Sequence, residues 1–149
     1  MAATAPKPNS VSHDIEMVIL LDNGTSVPMP CTMSYTVEDP FAVSATFRSA
    51  EGSVTWIFAR ELLSAGLESR VGDGDIRVSP VHRMSRSLVR LELSSDSGAA
   101  VLEGPLPQLR AFIEATLDVL PAGYEWQYLN FDSGLADLLG DGPERNRHI

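Results

Sequence analysis

Apolar and polar residues alternate along most of this chain, and two stretches with helical spacing interrupt the alternation. From Asp14 to Leu21, Ile15, Met17, Ile19 and Leu21 share a face while Val18 and Leu20 thicken the other, which predicts one strand covered on both sides. Asn23-Gly24 then supplies a turn. Val27, Met29, Cys31, Met33 and Tyr35 form the apolar face of a second strand, with Pro28 and Pro30 among its polar positions. Those prolines remove ladder donors on one side, so the first half of this strand is expected at an edge. Beyond Asp39-Pro40, Phe41, Val43, Ala45 and Phe47 define a half-buried strand, and after Glu51-Gly52 the residues Val54, Trp56 and Phe58 define another. Short connections between these segments predict an antiparallel meander.

The period changes at Phe58 and Ala59, from which Leu62, Leu63 and Gly66 follow at spacings of three and four. This predicts a short helix with Gly66 in a left-handed position just past its end. Strands resume after Gly72-Asp73-Gly74 with Ile76 and Val78, then Val89, Leu91 and Leu93, then Ala99, Val101 and Glu103, the last two joined in a hairpin by Ser95-Asp96-Ser97-Gly98. Pro105 to Leu120 carries the strongest helical stripe, Leu109, Phe112, Ile113, Leu117 and Leu120, with Pro107 suited to its first turn and Pro121 to its stop. Tyr124, Trp126 and Tyr128 alternate as a short extended piece, and Asp132 is placed to cap a last helix bearing Leu135, Leu138 and Leu139 and closed by Gly140. The expected fold is α+β: two antiparallel β-meanders, each followed by a helix. The expected organisation is a disordered leader over 1–12, a single domain over 13–140 and a disordered tail over 141–149.

With 149 residues and 44% apolar content, the chain is long enough to bury one core without disulfides or metal. Its lone cysteine, Cys31, lies on an apolar strand face, where a small buried thiol is expected rather than a nucleophile. The N-terminal stretch lacks a signal-peptide core and no apolar run reaches the ~20 residues of a bilayer span, so a cytoplasmic protein without membrane insertion is expected. His13, His82 and His148 have no partners at i+3 or i+4, and Asp73-Gly74-Asp75 lacks the ligand ladder of a calcium loop. No catalytic, cofactor or metal residues emerge, and a non-enzyme is expected.

The formal charge of −9 opposes attraction to phosphate backbones and anionic lipids. One basic zone, Arg70, Arg77, Arg83, Arg86 and Arg90, stands out, with Arg77, Arg86 and Arg90 projecting from one strand face as the candidate interaction face. No aromatic residue lies between Arg70 and Arg90 to stack bases, which favours a solvated face or one that meets acidic groups on a sister subunit. From Leu91 to Leu139 acidic residues accumulate against Arg110 alone, an asymmetry that suits self-association or an ordered partner.

The stretches Asp39 to Phe47, Val54 to Leu67, Gly72 to Val78, Leu88 to Gly104 and Phe131 to Leu139 resemble, in order, the signature segments of the SsgA-like cell-division proteins of sporulating actinomycetes. The resemblance implies a fold similar to the Whirly-type single-stranded nucleic-acid binders, assembled as a homo-oligomer, with a trimer favoured. It also implies a noncatalytic adaptor of sporulation-specific division, recruited to the septum. There it would help position the tubulin-like ring protein FtsZ, directly or through other SsgA-like proteins. A single-stranded DNA or RNA binder is the alternative reading.

Overall fold

The computed structural model describes residues 8–128. Its strands are β1 (Ser10–Ile15), β2 (Val18–Leu20), β3 (Ser26–Pro28), β4 (Cys31–Thr36), β5 (Ala42–Ser49), β6 (Gly52–Ala59), β7 (Ile76–Arg83), β8 (Arg86–Ser95) and β9 (Gly98–Pro105). Helix α1 (Arg60–Gly66) follows β6, α2 (Leu106–Val119) follows β9, and a short 3-10 helix spans Glu125–Tyr128. The strands form a four-stranded sheet ordered β1-β4-β5-β6 and a five-stranded sheet ordered β3-β2-β9-β8-β7, antiparallel throughout. The two meanders, β4-β5-β6 and β7-β8-β9, each run directly into a helix, as the hydrophobic pattern predicts.

The segment expected as one strand from Asp14 to Leu21 is instead divided at Glu16 and Met17, and its halves belong to different sheets. The Met17 amide donates to the Ile15 carbonyl at 3.0 Å and the Glu16 amide to Gln108 Oε1 at 2.9 Å, which fixes the corner. Met17 fills the core there, and Gly104 on β9 makes the room, since a Cβ at Gly104 would overlap the Met17 sulfur. The stretch from Val27 to Tyr35 divides likewise, at Met29 and Pro30. Pro28 lies on the edge strand β3, whereas β4 sits between β1 and β5. β1 starts at Ser10, within the stretch expected as leader, and pairs Ser10 with Thr36. Ser12 and Ser34 hydroxyls meet at 3.0 Å, a contact that alternation read from Asp14 onwards does not reveal.

One core joins the inner faces of both sheets to the helices. Met33, Ala45 and Phe58 from the first sheet and Val78, Val89 and Leu91 from the second are fully buried, together with Leu109 and Phe112 of α2. Burial of each large side chain contributes roughly 1.5–3 kcal/mol. Pro107 lies in the first turn of α2 and the helix stops before Pro121, both as expected. Gly66 behaves differently: it lies within α1 with helical backbone, buried against Val78. Its lack of a Cβ serves close packing of helix on sheet, not a left-handed cap. Tyr124, Trp126 and Tyr128 do not form a strand; they are exposed on the 3-10 helix and the turn before it. Pro121 and Gly123 (φ +93°) set up that turn, and its amides bond locally, Tyr124 to Pro121 at 3.2 Å and Gln127 to Tyr124 at 3.1 Å. The helix expected over 132–140 and the tail over 141–149 lie outside the described residues. Among the described residues no helix is long and apolar enough to cross a membrane.

Candidate interaction site

The arginines singled out from the sequence lie on the outer face of the second sheet. Alternation places Arg77 and Arg83 of β7 there, Arg86, Leu88, Arg90 and Glu92 of β8, and Glu103 of β9. Arg90 stands directly opposite Glu103, and Arg77 opposite Glu92. Glu103 is 2% exposed although it faces outward. Arg83 donates to it through both terminal nitrogens, with one bond of 3.0 Å, and Arg90 donates through Nε at 2.9 Å with its NH2 at 2.7 Å. Arg83 must reach across β8 to do so, and Leu88 beneath that reach is buried. The hydrogen bonds from Arg83, against the penalty of burial and with further help from Arg90, hold the Glu103 carboxyl below the usual carboxylate range.

The three candidate arginines are therefore not equivalent. Arg90 is committed to Glu103, while Arg77 makes a longer contact of 3.9 Å with Glu92, which Arg70 approaches equally. Such exposed pairs contribute ~0–1 kcal/mol each. Arg86 makes no ion pair among the described residues. It borders a cleft of about 830 Å³ between the sheets, together with Arg48, Asp14, Glu16 and Gln108. Both signs of charge meet there, so the cleft lacks the one-signed field that a phosphate backbone requires.

Reading the pattern alone misses a second cluster, built around Arg60 at the start of α1. Arg60 is 3% exposed and donates to the carbonyls of Thr116 (3.1 Å) and Leu120 (2.8 Å) and to Glu125 Oε2 (2.8 Å). Its guanidinium also lies 4.6 Å from the centre of the Tyr35 ring. The arginine thus satisfies the C-terminal carbonyls of α2 and ties the 3-10 helix to the first sheet. Burial raises the Glu125 carboxyl, but the Arg60 bond and backbone amides outweigh it and hold the group below its ordinary value. Beside this cluster Trp126 packs edge-to-face on Phe41 at 5.2 Å, and both residues remain exposed.

Cys31 is 1% exposed, and burial pushes its thiol up to about 12 despite the nearby Arg48. A thiol so raised is not a nucleophile near neutral pH. His13 is half-buried edge-on to Phe112, because β1 directs it toward α2. His82 is exposed beside Ser87. Among the described residues no group of three His, Cys, Asp or Glu side chains is placed to hold a metal.

The fold and these clusters define an α+β scaffold of two sheets whose arginines are engaged mainly in holding its own elements together. Residues 29–125 match the family described as Streptomyces sporulation and cell division protein, SsgA. The chain is 38% identical to the sporulation-specific cell division protein SsgB of Frankia casuarinae, over 92% of this chain and 96% of that protein. It is 36% identical to SsgB of Streptomyces coelicolor, over 89% and 97%. The crystal structure of the SsgA-like sporulation-specific cell division protein of Thermobifida fusca superposes with a TM-score of 0.79 at 31% identity, covering 91% of this chain and all of that one. The chain belongs to the SsgA family of sporulation and cell-division proteins.

Proposed function

We propose that the protein is a noncatalytic adaptor of sporulation-specific cell division that helps recruit or position the FtsZ ring and the septum through protein–protein contacts. The observation that carries this reading is similarity over nearly the whole chain to sporulation-specific cell division proteins. The adaptor works from the cytoplasm as a homo-oligomer, a trimer being favoured, alongside other SsgA-like proteins. The single domain of 13–140, extended by the β1 residues from Ser10, is the unit that does so. The internal neutralisation of Arg77 and Arg90 by Glu92 and Glu103 supports protein contacts over binding of single-stranded DNA or RNA. Fluorescent FtsZ imaged in a deletion strain of the sporulating host tests the proposal. Misplaced or missing rings are expected, and regular ladders of septa in the deletion strain would remove it. Retardation of single-stranded DNA by the pure protein, falling steeply with salt, would instead favour the nucleic-acid reading.

A further inference from the structure

We infer that the free edge of β6 and the apolar groove beside it receive an extended strand of a partner protein, with alternating apolar side chains flanked by lysine or arginine. The inference rests on the adaptor reading and assigns that reading a surface. The two sheets end in four edge strands, β1, β6, β3 and β7. Three of them carry the usual defences against an added strand. β1 bears His13 and Asp14, β3 is three residues long and ends in Pro28, and β7 contains Arg77, Pro80, His82 and Arg83. β6 has none: its eight residues, Gly-Ser-Val-Thr-Trp-Ile-Phe-Ala, include neither a charge nor a proline. β5 pairs with one side of β6 along its whole length. The main-chain groups on the other side have no strand partner among the described residues, and such groups are satisfied best by another strand.

The groove supplies pockets for that strand's side chains. It has a volume of about 190 Å³ and is lined by Ile19, Met29, Phe47, Val54, Trp56 and Leu102 among others. Val54 is 60% exposed and Trp56 half-buried, so β6 contributes apolar area that the fold leaves open. A strand added beside β6 places every second side chain on this face. Charge selects the flanks. The turns closing the strands that line the groove carry Asp22, Glu51 and Asp96 and no lysine or arginine. Arg48, close by in sequence, is directed to the opposite face of the first sheet, where it donates to Thr32 at 2.8 Å. A chain with a formal charge of −9 and acidic turns at this end fits a basic partner better than a second copy of itself.

The test uses the full chain and a fluorescein-labelled peptide of alternating valine and threonine flanked by lysines, followed by anisotropy. One control peptide carries glutamate flanks and another a central proline. Saturable binding of the lysine-flanked peptide is expected, weakened about tenfold or more by glutamate flanks, by the proline and by Val54→Lys, which sets a charge on the edge. Arg110→Ala, on the exposed side of α2, leaves binding as it is. Circular dichroism checks the fold of Val54→Lys, and Thr55→Lys replaces it if that variant unfolds. Equal binding of all three peptides, or of wild type and the lysine variants, overturns the inference. So does light scattering that shows the lysine variants breaking an oligomer, since a second copy then occupies the edge. Loss of peptide binding with septa still misplaced in the deletion strain removes this surface and leaves the adaptor reading standing, whereas normal septa there remove the adaptor reading itself.

Discussion

Replacing Gly66 with alanine sets two effects of opposite sign against each other. Gly66 has helical backbone within α1, so alanine there gains ~1 kcal/mol of helix propensity. The added Cβ, however, would overlap Cβ and Cγ1 of Val78, a side chain with no exposure. Valine is stiff at χ1 and its Cβ is fixed to the strand, so relief requires α1 to move off β7. Overpacking of this kind costs about 1–3 kcal/mol. The expected net change is a destabilisation of up to about 2 kcal/mol, which for a domain of this size lowers Tm by up to roughly 8 °C. Calorimetry or thermal circular dichroism reads it directly. The double variant Gly66→Ala/Val78→Ala isolates the cause: the alanine Cβ then occupies space vacated by valine, and a favourable coupling of about 0.5–3 kcal/mol is expected. A Tm raised by Gly66→Ala, or strictly additive effects in the cycle, would refute the close-packing account.

Four further outcomes are expected. Glu103→Gln removes a carboxylate whose folded pKa lies below its unfolded value, so the stability it contributes is complete above the ordinary glutamate range and lost as pH falls through the folded value; the Tm gap between wild type and variant should close on acidification, and a gap independent of pH contradicts the assignment. Arg60→Leu leaves Glu125 without its cation and takes a donor from the Thr116 and Leu120 carbonyls, and should cost about 3 kcal/mol in urea unfolding, with Arg60→Lys recovering only part because an ammonium lacks the planar fork. Cys31 should resist iodoacetamide at pH 8 in the native chain and react once guanidinium unfolds it; rapid native alkylation would show that the first sheet opens readily. Trp56→Ala should cost about 2 kcal/mol, below the ~3–5 kcal/mol of a fully buried aromatic, since Trp56 is half-buried, and a larger loss would mean that the groove is closed in solution.

The strands and helices were legible because most of them bury one face, and a buried face writes its period into the sequence. What period two cannot show is a change of sheet. Ile15, Met17 and Ile19 stay in phase through the corner at Glu16, with no glycine or proline to mark it, because both sheets bury the same side of the chain. The β7–β8 hairpin was hidden for a different reason. Its turn is made by Met84 (φ 51°) and Ser85 (φ 68°), two left-handed residues where Asn-Gly would have announced it. Gly66 was visible as a glycine near a helix end, but whether a glycine serves a turn or a close approach depends on Val78, a dozen residues further on.

The partners of the arginines were partly within reach. Counting back from the Ser95–Gly98 turn places Arg90 opposite Glu103, so that pair follows from the hairpin itself. Arg83 reaching Glu103 across a strand does not, and neither does Arg60, whose acceptors lie 56 to 65 residues away. These contacts decide how the surface should be understood. An arginine that satisfies a buried carboxylate or a helix end cannot leave for a partner without stranding that group inside the fold. Arg60, Arg83 and Arg90 are bound in this way, and on the basic stripe Glu92 and Glu103 offset part of the arginine charge in three dimensions. An uncharged surface is left open as well: the β6 edge, whose hydrogen-bonding groups and exposed Val54 can be engaged without breaking any contact seen among the described residues.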